Sequence, residues 1–376
     1  MKFNWKNSLF LVAFSVSLFS CDEETTDVTF PTLEVPTTYE SANYASNAST
    51  ELVVRQNLSD LVSKMQVGRQ SGATVTESEL LALFNAGSPS LKSITTPYYA
   101  EKMPNWLAEL AKSSGGTFNP TTAPAGNGGV YGGYLFDENG LEMEQVVEKG
   151  LFGAALYNHA LTIIKSNTIN TTDIDRLVAI YGAHPSFKNS GSAEQNKDIF
   201  SANYAARRDK NDGNGFYTSI KTNLITAKAA IEKGQNYSQE RDKALSDFRY
   251  NWEKSNMATV INYLLSTTSK LNKSNATDAD KASALHAYSE AVGFIHGWKG
   301  ISGNDKAISD AEIDQILELM NAPVNGTLTS YKFVTEPFTQ LPKLQSAIDK
   351  LKQIYKFTNQ DIIDFEYNWV NEQGRK

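Results

Sequence analysis

Hydrophobic positions along this chain recur at intervals of three and four, and almost nowhere at intervals of two. From Glu51 onward Leu52, Leu58, Leu61, Val62 and Met65 keep helical spacing, the pattern of a helix that turns one face to a core. The same period continues to the C-terminus and predicts helices over 51–67, 77–85, 97–113, 141–166, 172–183, 193–209, 215–233, 238–271, 277–299, 309–321, 341–357 and 359–372. Several of these open on a capping box, in which a Ser or Thr accepts from the N3 amide and an acid or Gln at N3 returns the bond. Thr76 with Glu79, Ser192 with Gln195, Thr277 with Asp280, Ser309 with Glu312 and Thr358 with Asp361 all fit. Thr96-Pro97 adds a start with Pro at the first helical position, and Gly234 and Gly300 mark stops. The short Tyr331-Lys332-Phe333-Val334 stretch reads as a strand with nothing to pair with. The expected fold is all-α, a multi-helix bundle, arranged as one body or as two fused bundles.

Two segments depart from the helical pattern. Residues 114–140 form a long irregular loop holding Gly115-Gly116, Gly128-Gly129 and Gly132-Gly133 with Tyr131 and Tyr134; loops of this length are commonly functional or mobile. The loop lacks GxxxxGK[ST], so it is no phosphate cradle. The other departure is residues 22–48, rich in Thr, Ser, Asn and Pro and without a sustained period, which read as a tether whose second half lies extended on the domain. One internal echo also stands out. Asp247-Phe248-Arg249-Tyr250-Asn251-Trp252 and Asp364-Phe365-Glu366-Tyr367-Asn368-Trp369 agree at five of six positions, both within predicted helices, and hint at a duplicated unit.

The N-terminus changes the picture of where the chain works. Lys2 precedes an apolar run from Ser8 to Phe19 that is too short to span a bilayer as a helix and reads as a secretory signal. It ends in Leu18-Phe19-Ser20-Cys21, the pattern of a bacterial lipobox, in which the cysteine is lipidated and becomes the mature N-terminus. The expected organisation is a signal peptide over 1–20, a lipidated Cys21 and flexible tether over 21–48, and a helical domain over 49–376. Lipidation at Cys21 predicts a protein held on outer-membrane lipid rather than spanning it. Asp22-Glu23-Glu24 resembles the acidic export signal of surface lipoproteins, which favours the cell surface over the periplasmic face.

Composition narrows the chemistry. The net charge is −7 over 376 residues and no Lys or Arg block stands out, so nucleic acid is not an expected partner. Cys21 is the one cysteine, which excludes an intrachain disulfide framework and thiolate metal sites in the folded body. A metal site would therefore draw on four histidines and on carboxylates, with iron or another divalent metal as the cofactor class. His286 and Glu290 sit four apart on one helix face and could share a metal or a proton. Glu144 and Glu148 form a second i,i+4 pair on the helix that bears His159, and Glu253 lies beside the first aromatic echo. Bundles build metal sites from such facing carboxylates, usually with a Glu-x-x-His spacing that is absent here. His286, Glu290, Glu148 and Glu253 are the candidate ligand-binding or metal residues, and no catalytic residue is expected. The segment from Asp209 to Ile220 fails as a calcium loop at three positions, two of them ligands and one the turn glycine, and no GxSxG or HExxH occurs.

Several segments together carry a resemblance. VPTTYESANY, VVEKGLFGAALYN (Val146 to Asn158), YAARRD with AAIEKG, and ALHAYSEAVGFIHGWK (Ala284 to Lys299) resemble a family of Bacteroidota lipoproteins that carry a domain of unknown function. Those proteins look distantly similar to imelysin-like helical bundles, which have a duplicated core and are tied to iron uptake. The imelysin signature GxHxxE is absent: His286 precedes Glu290 by four, with no Gly two residues before it. Where relatives are expected to carry an acidic stretch, this chain has Tyr181-Gly182-Ala183-His184-Pro185-Ser186-Phe187. The resemblance implies a non-enzymatic, surface-anchored protein that binds a ligand in iron or iron-chelate acquisition beside a TonB-dependent receptor. The alternatives are a structural or lid lipoprotein of an outer-membrane complex and, less favoured, a metal-dependent hydrolase.

Overall fold

Four of the capping boxes close where the pattern puts them. Thr76, Thr277, Ser309 and Thr358 each accept the N3 amide while Glu79, Asp280, Glu312 and Asp361 accept the N-cap amide in return. A computed structural model of the chain describes residues 30–191 and 197–375; the Ser192–Gln195 box and the lipobox with Cys21 lie outside the described residues. The chain divides into a unit over residues 1–32, of which only the irregular 30–32 is described, and a unit over Leu33–Lys376.

In the second unit α1 (Tyr44–Asn47) and α2 (Ser49–Val67) lead into α3 (Glu77–Asn85), α4 (Leu91–Ile94) and α5 (Pro97–Ser113). A two-stranded antiparallel hairpin follows, β1 (Gly129–Tyr131) and β2 (Tyr134–Phe136). Next come α6 (Met143–Leu151), a π-helical turn over Phe152–Tyr157, α7 (Asn158–Ile164), α8 (Thr171–Tyr181) and α9 (Phe200–Arg207). The chain ends in α10 (Phe216–Lys233), α11 (Ser238–Leu271), α12 (Asp278–His296), α13 (Asp310–Leu319), α14 (Lys332–Thr335), α15 (Pro337–Tyr355) and α16 (Asn359–Asp364). α11, 34 residues and so about 50 Å long, is the spine: α9, α10, α12 and α15 pack along it, and α12 packs in turn on α6. The core beside it is aromatic, with Tyr157 4.5 Å from Trp298 and 5.3 Å from Trp252 between ring centroids, all three fully buried.

The crossing of α6 and α12 is set by glycine. A Cβ on Gly297 would lie 2.7 Å from the Cα of Gly150, one on Gly153 2.8 Å from the carbonyl oxygen of Gly297, and one on Gly293 3.1 Å from the Cα of Val146. Backbone meets backbone here, which only a residue without a side chain permits. The helix expected to run unbroken over 141–166 is interrupted at this crossing by the π turn, a device that absorbs an extra residue within a helix.

Other expectations are corrected. Residues 331–334 are not a strand: Lys332–Thr335 is a helical turn leading into α15. The strands lie instead inside the 114–140 loop, where each is three residues long, too short to display a period of two. The tether expected through residue 48 ends earlier. Tyr39 is buried and donates to Asp175, to which Ser41 and Asn47 also donate at 2.8 and 2.6 Å. A buried carboxylate on α8 thus draws this segment onto the body, and part of it is the helical turn α1. The aromatic echo is not a structural repeat: Phe248 and Trp252 are buried within α11, whereas 365–369 lies beyond the end of α16 as a turn.

Candidate functional site

The α6–α12 crossing buries charge. α6 carries Glu144, Glu148 and Lys149, with Glu142 as its N-cap residue, and α12 carries His286, Ser289 and Glu290. Arg69, just past the end of α2, enters from the side, and Tyr134 of β2 covers the group. The i,i+4 spacings of Glu144/Glu148 and His286/Glu290 put each pair on the face its helix turns to the other. Gly293, three residues beyond Glu290, then lets the two faces close.

The geometry is a set of carboxylates clamped on cations. Arg69 pairs with Glu142 at 2.8 Å and with Glu144 at 2.5 Å, and Gln66 donates to Glu144 at 3.1 Å. Lys149 pairs with Glu148 at 2.7 Å and with Glu290 at 3.5 Å. Tyr263 and Tyr204 donate to the same Glu290 oxygen at 2.8 and 3.3 Å. His286 joins the two halves, its Nδ1 2.6 Å from Glu142 and its Nε2 3.6 Å from Glu290. As an imidazolium the ring would donate toward both acids, as a neutral ring toward one. Tyr134 stacks on His286 at 4.2 Å and 17° and presents its other surroundings to Arg69, whose guanidinium carbon is 5.4 Å from the ring centroid. Glu142, Glu144, Glu290 and Lys149 are all buried.

Burial, helped by the neighbouring Glu142 and Glu148, pushes the Glu144 carboxyl up to about 8 against the pull of Arg69. Burial draws the Lys149 ammonium down, but Glu148, Tyr204 and Glu290 outweigh it and hold the group well above the usual lysine value. Glu144 sets a sign for pH dependence. The unfolded chain loses this proton near 4.5 and the folded chain near 8, so between those values the folded state binds more protons and stability falls as pH rises. Glu144→Gln should flatten that slope, cutting the loss between pH 5 and pH 8 by an amount on the order of a few kcal/mol. Urea midpoints at the two pH values measure it, and an unchanged slope would contradict the assignment.

Three of the sequence-derived candidates, His286, Glu290 and Glu148, come together here; Glu253 does not. Its carboxylate is buried on α11, accepting the amides of Ala307 and Ile308 at 2.8 to 3.0 Å and the Tyr355 hydroxyl at 2.7 Å. It ties the 305–308 loop and α15 to the spine. Among the described residues no group of three or more His, Cys, Asp or Glu is arranged to hold an ion; at this crossing the acids are paired with Arg69 and Lys149. Nor does the cluster pair a nucleophile with a base: Ser289 donates to the Leu285 carbonyl at 2.7 Å and accepts the Glu142 amide.

Arg69, Glu142, Lys149 and Tyr134 were not legible as site residues. Arg69 lies past a helix end and Tyr134 in the loop, and their partners are far off in sequence. Glu142 carried a weak signal as an acid at a helix start.

Residues 180–366, just under half of the chain, match a family model described as a domain of unknown function, DUF4856. Comparison with curated proteins and with solved structures gave no match. The matched segment includes His286 and Glu290 but not Arg69, Glu142, Glu144, Glu148 or Lys149.

Proposed function

We propose that this chain is a non-enzymatic lipoprotein, anchored through Cys21 to the outer membrane and displayed at the cell surface, where its helical body serves an outer-membrane uptake complex by protein contact. The observation that carries the reading is the apolar run ending in Leu18-Phe19-Ser20-Cys21, followed by Asp22-Glu23-Glu24. The resemblance to Bacteroidota surface lipoproteins, and more distantly to imelysin-like bundles, supports iron or iron-chelate acquisition beside a TonB-dependent receptor as the setting. The matched cations and carboxylates at the α6–α12 crossing favour an accessory or lid role over direct iron ligation by His286 and Glu290.

Cys21→Ser should move the protein from the detergent phase to the aqueous phase in Triton X-114 partitioning and abolish acyl labelling. Continued lipid labelling would refute the anchor. The accessory role is tested by purification from cross-linked membranes. A receptor that still co-purifies with the His286→Ala, Glu290→Ala variant supports it, and loss of the receptor together with protein-bound iron would favour ligand binding.

A further inference from the structure

A second constellation lies where the start of α10 meets α11 and the C-terminal segment. A pocket of about 220 Å³ is lined there by Arg208, Lys254, Phe216, Phe357 and Phe365, among others. The three rings form one wall, with Phe365 4.9 Å from Phe357 and 6.0 Å from Phe216 between centroids.

The two cations are the anomaly. Arg208 is 7% exposed, and among the described residues its side chain makes a single hydrogen bond, from a terminal nitrogen to the Phe365 carbonyl at 2.6 Å; its Nε is buried with no acceptor there. Among the described residues no carboxylate pairs with it. Burying a guanidinium costs several kcal/mol unless a partner offsets it, and burial draws this one down to about 10. Lys254, half-buried, rests against Phe357, Tyr250 and Phe216 at 5.1, 5.8 and 6.0 Å from the ring centroids and has no ion pair among the described residues. Three acids also line the pocket, each held by another group, and the charge of Asp361 reaches Lys254. Asp361 closes the Thr358 capping box, Asp212 accepts the Asn214 amide, and Asp364 pairs with Lys210. A guanidinium with donors left over suits a planar, two-oxygen acceptor, which a carboxylate offers and a halide does not.

We propose that this pocket binds a small organic anion, a carboxylate carried on an aromatic or flat apolar body. Arg208 and Lys254 receive the anionic head, and Phe216, Phe357 and Phe365 receive the body. All five residues fall within the matched segment 180–366, and the proposal does not depend on where the chain is anchored.

The test is calorimetric titration of the full-length protein in detergent with benzoate, with benzamide as its uncharged counterpart, and with inorganic phosphate as an anion lacking the body. Benzoate should bind at least tenfold more tightly than either. Lys254→Met, at a half-buried position whose side chain makes no hydrogen bond among the described residues, should weaken benzoate at least tenfold while leaving Tm within a few degrees. Arg208→Lys, which keeps the charge and loses the fork, should also weaken it; should that variant fail to fold, Lys254→Met still decides. No benzoate binding, equal binding of benzamide or phosphate, or an affinity indifferent to Lys254→Met would overturn the proposal.

Discussion

Replacing Gly297 by alanine should lower stability by about 3 kcal/mol, toward the upper end of what overpacking a core costs. The new Cβ would sit 2.7 Å from the Cα of Gly150 and against its carbonyl. Both are backbone, so no side-chain rotation can make room, and α6 and α12 must move apart. That movement reaches beyond packing. Tyr99, which donates to the Val146 carbonyl at 2.6 Å, and the His286–Glu142 pair both span elements whose spacing Gly297 helps to set. Gly303→Ala is the matched control, since its Cβ would meet nothing within 4 Å and its backbone is not left-handed; it should be neutral within about 0.5 kcal/mol. Urea denaturation followed by circular dichroism measures both, and equal midpoints for the two variants would refute the close-crossing account.

Arg69→Met is the other substitution with a large expected effect, a loss of about 3–5 kcal/mol, the usual consequence of removing one partner from a buried ionic group. Its guanidinium is the cation shared by Glu142 and Glu144, whose side chains are 0% and 1% exposed. Without it two carboxyls face each other in the interior with Gln66, Gln145 and His286 as neutral or titratable hydrogen-bond company and no fixed cation bonded to either among the described residues. The deficit should shrink as pH falls, because a proton then removes the uncompensated charge. Combining Arg69→Met with Glu144→Gln should recover part of the loss. A double-mutant cycle reads the coupling, and additive losses would mean that the pairs contribute nothing as a unit.

The helices were largely legible in the sequence, and the particulars say why. Glu77–Asn85, Pro97–Ser113 and Ser238–Leu271 begin and end where periodicity and capping residues place them, and Phe216–Lys233 ends at Gly234, since these signals act within one or two turns. The hairpin was hidden because three-residue strands carry no pattern and its glycines read as loop. At the charged cluster, the i,i+4 pairs on α6 and α12 were visible as faces, and Gly293 as room for a neighbour. What lay across from them was not. Arg69 reaches Glu142 and Glu144 over more than 70 residues of chain, a pairing set by how α2 packs on α6 and not by local spacing. The same blindness misplaced Glu253, whose partners are amides at 307 and 308.

The glycine crossing also bears on what the matched segment is. The segment begins at residue 180, near the end of α8, and so contains α12 without α6. Cut out at that boundary, α12 would turn Gly293 and Gly297 to water along a bare backbone groove, and Glu290 would lose Lys149. The stretch that similarity marks out is therefore not one that could be lifted out and stand by itself: the first half of the chain supplies the other wall of its interior.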